Sequence, residues 1–371
     1  MKEESWYHIH NVATVDSPQL LVYADRVKQN IRQAAGMIGD VERLRPHIKT
    51  VKSAGAIRLM REAGIRKFKC ATIAEAELLA RQKVPDILLA YQPVGPKAER
   101  FTRLFIEYPD SAFSCLVDDS DAAEYLSDLA AAEGLRVPVY MDLNVGMNRT
   151  GISPDTAAIA LYKKLERLPG IGLVGLHAYD GHIHMADFEE RKRRCDEAFA
   201  LVDHLRKALI ATGAGPLVIV AGGSPTFPFH LQREGVECSP GTFPYWDKGY
   251  GDAFAEQNFL PAALVLTRVI SLPEPDLICL DLGHKSVAPE NVLARRLAFL
   301  NLSEYELVGQ SEEHLTVRVH ENHGYKTGDV FYALPGHICP TVALYERAVI
   351  IENQHVTAYW LNEARDRKIT I

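Results

Sequence analysis

The sequence predicts an α/β protein: a TIM-type (β/α)8 barrel over residues 16–255, followed by an all-β domain over 256–371 that residues 1–15 could join. Three observations predict this. Between about residues 43 and 250, short apolar runs alternate with longer amphipathic ones, and such alternation implies parallel strands joined by right-handed crossovers. Eight such runs in about 200 residues suit a closed barrel. After Gly251 the texture changes to short β-rich runs separated by Pro, Gly, Asn and charged residues, with helical periodicity nearly gone. A doubly wound open sheet is the alternative. Against it, no Gly-x-Gly-x-x-Gly follows the first strand.

The eight predicted barrel strands are 44–50, 68–72, 87–91, 112–117, 137–144, 173–179, 217–221 and 236–241, with helical patterns at 56–63, 74–81, 121–132, 154–168 and 187–211. In the C-terminal part the predicted strands are 262–272, 277–281, 305–308, 314–320, 329–333, 347–351 and 354–360, and residues 6–15 could add one more. The sequence has no internal repeat beyond the barrel alternation and no low-complexity segment.

Composition excludes several classes. A net charge of −7 over 371 residues, with no dense Lys/Arg tract, argues against nucleic-acid binding. No apolar run approaches a membrane-spanning length, and the first residues hold no apolar core of signal-peptide size. The six cysteines are scattered and form no Cys-x-x-Cys pair, which suits reduced thiols in a cytoplasmic protein.

Chemistry concentrates where predicted strands end. Lys49 closes the first strand, just before a helix expected near Ser53, and a lysine amine at that junction can form a Schiff base with an aldehyde cofactor. Arg45 and Lys52 would favour its neutral form through like-charge repulsion. Arg149 follows the fifth strand in a turn flanked by Gly146 and Gly151, where it could hold an anionic oxygen. The sixth strand ends in a run from Gly175 through His177, Tyr179, Asp180, His182 and His184. There Tyr179 could lie against a flat ring, and the histidines could act as acids, bases or ligands; a His-rich surface loop is the alternative. Gly222, Gly223 and Ser224 after the seventh strand, and Gly241 with Thr242 after the eighth, let backbone N–H groups and hydroxyls approach a phosphate. In the β domain, His337 and Cys339, read as alternate residues of a strand, could grip one cation. A thiolate ligand makes zinc a better match than magnesium.

Together these segments resemble the D-threonine aldolase and D-serine dehydratase family of fold-type III pyridoxal-phosphate enzymes, whose barrel is like that of the alanine racemases. The most specific motif is Arg45-Pro46-His47-x-Lys49-Thr50, and the resemblance runs from Asp16 to Cys339. It implies that Lys49 carries pyridoxal 5'-phosphate, that Arg149 contacts the cofactor's phenolic oxygen, and that Tyr179 stacks on the pyridine ring. It further implies that Gly222, Gly223, Ser224, Gly241 and Thr242 hold the phosphate, and that His337 and Cys339 bind a divalent metal, zinc or manganese. Val51 replaces a histidine found in many members. Ser239 stands where the racemases place an arginine beside the pyridine nitrogen, and no second-face tyrosine is evident near His284-Lys285, which weakens a racemase reading.

The expected function is therefore a metal-dependent lyase of small D-3-hydroxy amino acids, working either by dehydration or by retro-aldol cleavage. Cys339 leans toward dehydration, and the overall texture is compatible with aldolases. An amino acid racemase and a non-catalytic pyridoxal-phosphate carrier are the rivals, and the β domain with its His-x-Cys pair argues against the carrier. By resemblance the enzyme is a homodimer. The further metal ligands stay open, with His284, His314 and His323 as candidates.

Overall fold

The computed structural model describes residues 5–371. The chain divides into two compact units. One takes the chain up to Gln33 together with Thr50–Ala56 and Thr242–Arg365; the other takes Ala34–Lys49, Ile57–Gly241 and Asp366–Ile371. Each unit is thus assembled from several stretches, whereas texture divides the chain once, at 255/256. Part of the reason is β1 (Gln19–Tyr23), which pairs antiparallel with β9 (Ala263–Glu274) and parallel with β15 (Arg347–Glu352).

The barrel unit contains β2 (Lys67–Cys70), β3 (Asp86–Leu89), β4 (Ala112–Val117), β5 (Val137–Asp142), β6 (Ile171–Ala178), β7 (Val218–Ala221) and β8 (Val236–Cys238), all parallel and in that order. The predicted strand at 44–50 is no laddered strand. It is a bridging segment that joins the two edges of the sheet. Arg45 N–H donates to the Cys238 carbonyl (2.9 Å) and His47 N–H to that of Pro240 (3.0 Å). On the other side Ile48 N–H reaches the Lys69 carbonyl and Lys69 N–H that of Pro46, both at 2.9 Å. Pro46 has no N–H to give, so the pairing stays at isolated points. Through these bonds the segment links β8 to β2 and closes the barrel.

Helices follow in turn: α1 (Ala24–Ile38), α2 (Ala54–Glu62), α3 (Ile73–Arg81), α4 (Pro96–Glu107), α5 (Ser120–Ala132), α6 (Thr156–Leu165), α7 (Phe188–Ala211) and the single turn α8 (Phe227–His230). Their starts are written in the sequence. Thr72, Asp119, Asp155 and Asp187 each accept a backbone N–H of the first turn of α3, α5, α6 and α7. Each such cap contributes about 1 kcal/mol.

The β unit holds α9 (Lys248–Ala253), β9, β10 (Leu277–Leu280), β11 (Leu297–Phe299), β12 (Glu306–Gln310), β13 (Leu315–Arg318), β14 (Val330–Pro335), α10 (Ile338–Leu344), β15 and β16 (His355–Leu361). The sheet runs β12-β13-β10-β9-β1-β15-β16, with β14 also paired to β9 and β11 to β14. In the first half of β9 both faces are buried. Along β9, Leu264 and Leu266 enter one apolar cluster with Leu21, Tyr332 and Val349, while Val265 and Val269 enter another with Ile278, Leu315 and Phe331. That is the two-residue period of a strand.

Two local expectations differ from the structure. Residues 6–15 form no strand; a 3-10 turn at Val12–Thr14 precedes β1. His337 and Cys339 do not lie on a strand. His337 is the N-cap residue of α10, whose first turn tolerates Pro340. Asp247 stabilises that helix start by accepting the Ile338 N–H (3.0 Å).

Candidate functional site

Three predicted residues of the barrel unit meet around one ring. The Lys49 Nζ lies 5.8 Å from the centre of the Tyr179 ring, and the Arg149 guanidinium carbon lies 5.1 Å from it. Lys49 leaves the bridging segment with its N–H donated to His47 Nδ1 (3.1 Å), and Tyr179 follows the last residue of β6. Lys49 and Tyr179 are half-buried, and Arg149 is exposed.

A third cation was missed. The Lys69 Nζ is also 5.8 Å from the Tyr179 ring centre, and Lys69 is buried. Burial first, then the charge of Lys49, push its pKa down to about 7, against the pull of Asp142 and Asp180. Its Nζ contacts His177 Nε2 at 3.4 Å, and His177 Nδ1 lies 2.7 Å from Asp142 Oδ1. Burial would raise Asp142, but His177, Thr150 and Lys69 together outweigh this and hold the carboxyl below its ordinary range. Burial and Lys69 lower His177. The ring is therefore neutral at pH 7, its Nδ1–H donates to Asp142, and Nε2 accepts from Lys69. Arg45, expected to repel Lys49, is instead clamped by Glu237 (2.6 Å) and by both oxygens of Asp86 (2.6 and 3.0 Å). Arg45 is thus compensated by its own carboxylates. The sequence signal of Lys69 was a lysine inside an apolar strand, Phe68-Lys69-Cys70.

One glycine loop lies against the same ring and the other against the bridging segment. A Cβ at Gly223 would fall 3.1 Å from Tyr179 Cε2, and one at Gly241 would fall 3.0 Å from the His47 carbonyl oxygen. Gly222 has φ +75°, and a Cβ there would sit 2.5 Å from His230 Cδ2. The Ser224 hydroxyl accepts the Gly241 N–H (3.2 Å), which ties the two loops together. Ser239 Oγ is buried with no hydrogen-bond partner among the described residues. An amine, a ring platform, a cation, two loops open to close approach and a buried unsatisfied hydroxyl together fit pyridoxal phosphate. Thr242 falls in the β unit, with its hydroxyl 3.8 Å from Cys339 Sγ.

Behind Gly222, Asp180, Cys195 and His230 bring one potential ligand atom each within 4.8 Å of the others, all buried. Asp180 accepts from Thr226 Oγ1 and from His230 Nε2, both at 2.8 Å, and Thr226 Oγ1 accepts the Gly223 N–H (3.2 Å). Arg233 Nη1 lies 2.8 Å from His230 Nδ1. Arginine only donates, so Nδ1 is the acceptor and Nε2 carries the proton. That leaves neither ring nitrogen free for a cation, and the cluster reads as a brace for the loop.

In the β unit, His337 hydrogen-bonds to Cys339, and its Nδ1 lies 2.6 Å from Glu290 Oε1. Burial alone would lower the His337 pKa, but Cys339, Asp247 and Glu290 outweigh it and raise it to about 9. Thr50 Oγ1 lies 3.0 Å from Cys339 Sγ. An imidazole, a thiol and neighbouring carboxylates form a donor set that fits a borderline divalent ion. Glu290 and Asp247 were missed, because nothing local to the His-x-Cys pair points to residues so distant in the chain.

Known proteins show the same two-part pattern. The family model described as alanine racemase, N-terminal domain, matches residues 22–248, and the one described as putative serine dehydratase domain matches residues 262–351. The chain is 27% identical to a 3-hydroxy-D-aspartate aldolase of Paracoccus denitrificans, covering 95% of this chain and 93% of that one. It is 28% identical to a D-threonine aldolase of an Arthrobacter species, covering 95% and 94%. In fold it is similar to the D-threonine aldolase of Filomicrobium marinum (TM-score 0.89, 24% identity, 98% and 99% covered). It is also similar to the D-threo-3-hydroxyaspartate dehydratase of a Delftia species (TM-score 0.84, 22% identity, 95% and 98% covered). That dehydratase has also been solved as a histidine-to-alanine variant and, in the metal-free form, with alanine for the cysteine two positions further on. The length of the first match, spanning strands, loops and Lys49 alike, carries the conclusion that this chain belongs to the alanine racemase N-terminal domain family.

Proposed function

We propose that this protein is a pyridoxal-phosphate and divalent-metal dependent lyase that cleaves D-3-hydroxy amino acids between Cα and Cβ. The observation that carries the reading is the meeting of Lys49 and Arg149 around the Tyr179 ring. The near-full-length likeness to two aldolases supports cleavage. Dehydration is the second reading. It is favoured by Cys339, because the histidine and cysteine varied in the Delftia dehydratase have the spacing of His337 and Cys339.

Bound pyridoxal phosphate supplies an aldehyde carbon and a conjugated ring that accepts the electron pair of a bond broken at Cα. Lys49 offers its amine as the point of attachment and, once released by the substrate's own amine, holds a proton for Cα. Tyr179 backs the ring, and Arg149 holds an anionic oxygen at its edge. Gly222, Gly223, Ser224 and Gly241 present N–H groups and a hydroxyl to the phosphate. A zinc or manganese ion on His337 and Cys339 supplies positive charge for the substrate's 3-hydroxyl oxygen. Thr242 belongs with the thiol in this reading.

No described helix is long and apolar enough to cross a membrane, and no disulfide joins the cysteines among the described residues. We read the protein as a cytoplasmic homodimer acting on a small D-amino acid.

The test is product analysis of purified protein with pyridoxal phosphate and zinc or manganese, with and without EDTA. Glycine from D-threonine or 3-hydroxy-D-aspartate, abolished by EDTA, is the expected result. Ammonia and a 2-oxo acid in its place would turn the reading to dehydration. Racemisation without chelator sensitivity would overturn it.

A further inference from the structure

We propose that Lys69 is a second catalytic base of the barrel unit, the group that takes the proton from the substrate's 3-hydroxyl. The inference rests on the lyase reading above and assigns a residue that reading does not use.

The geometry is that of a held base. Lys69 sits near the end of β2, buried, with its Nζ as far from the Tyr179 ring centre as that of Lys49, 5.8 Å. It makes no ion pair among the described residues. Its Nζ instead meets His177 Nε2, and that nitrogen is an acceptor because Nδ1–H is given to Asp142. An amine buried with an imidazole in place of a carboxylate loses its proton readily, since water and counter-ion are both lacking. Lys49 and Arg45 oppose charge on Lys69, Asp142 and Asp180 favour it, and Arg149 acts on His177. Asp142 and Asp180 are each engaged by a histidine, which blunts their pull. The balance of these effects, a pKa pushed down to about 7, suits a base working at neutral pH. His184, by contrast, is exposed.

In the step, Lys69 Nζ accepts the hydroxyl proton, and the O–H electron pair becomes the second bond of the aldehyde carbonyl. The Cα–Cβ pair stays with the amino-acid half until a proton from Lys49 reaches Cα. One proton leaves oxygen and one arrives at carbon.

The holoprotein is compared with Lys69→Ala, Lys69→Met and Lys69→Arg on D-threonine with zinc. Each variant is expected to bind pyridoxal phosphate as the unaltered protein does, because Lys49 is intact, and to lose about a hundredfold or more in kcat. Added methylamine or ethylamine should restore Lys69→Ala, the more so the more basic the amine, and should leave Lys69→Met unchanged. A merely structural lysine would give no such rescue. Undiminished kcat, or loss without rescue, would overturn the proposal. A second readout does not need turnover: the visible absorbance of the bound cofactor should titrate near neutral pH, and that step should vanish in Lys69→Met. If no substrate is cleaved by the unaltered protein, the lyase reading fails. A step that persists in Lys69→Met then overturns the role of Lys69 separately.

Discussion

His177 and His230 are both buried in the barrel unit, each between an aspartate and a cation, yet they are wired in opposite senses. His177 gives its Nδ1 proton to Asp142 and turns Nε2 to Lys69. His230 gives its Nε2 proton to Asp180 and turns Nδ1 to Arg233. The cation decides what each chain can do. An arginine keeps its charge at any accessible pH, so the second chain has one state and serves to hold Thr226 and the Gly222–Gly223 turn. A buried lysine can release its proton, so the first chain has two states at neutral pH and faces the ring shared with Lys49. The same Asp–His pair thus makes a brace beside an arginine and a titrating group beside a lysine.

Substitutions can break this contrast. Asp180→Ala is expected to do most to stability. It strands the Thr226 hydroxyl and the His230 N–H in the core, at a cost of about 3 kcal/mol or more, measured by urea denaturation. Asp142→Asn keeps the volume but frees His177 to present the wrong tautomer. It should lower turnover about a hundredfold with little change in melting temperature. Gly222→Ala meets both strain at φ +75° and a clash with His230. A loss of about 1–3 kcal/mol, with weaker binding of pyridoxal phosphate than of pyridoxal, would locate the effect at the phosphate loop. Arg233→Lys should cost least, about 1 kcal/mol, by giving up the planar fork on His230 and Asp196.

A pH series sharpens the same comparison. Between pH 7 and the range where an unfolded lysine titrates, the unfolded chain holds a proton on Lys69 that the folded protein lacks. The contribution of Lys69 to stability is therefore poorest at and below neutral pH and improves as pH rises. Lys69→Met should be the more stable protein at pH 7, and its advantage should shrink by pH 9. An equal gap at both pH values would mean that Lys69 stays charged in the fold.

Much of the architecture was legible because it is local. Apolar alternation marked seven barrel strands and all seven predicted strands of the β unit to within a few residues. Capping residues such as Asp119 and Asp187 sit where helices begin. The bridging segment at 44–48 was read as a strand because its apolar edges look like one, and only Pro46 hinted that the ladder is broken. The strand expected at 6–15 lies later, at β1, since those early residues offer aromatic and polar groups without alternation. Helix α10 was hidden by its brevity and by Pro340, which reads as a breaker except in a first turn.

The sequence by itself determined the order of elements, the lysine poised after a strand, the arginine turn, the glycine loops and the His-x-Cys pair, because each is a property of neighbouring residues. Only the tertiary structure decided which side chains share an environment. Lys69, Asp142 and His177 come from three strands, and their hydrogen bonds exist because barrel closure points all three inward. Charge states followed the same division. Arg45 looked like a cation able to tune Lys49 until Glu237 and Asp86 were found around it, whereas Lys69 looked like one lysine among many until burial removed its water.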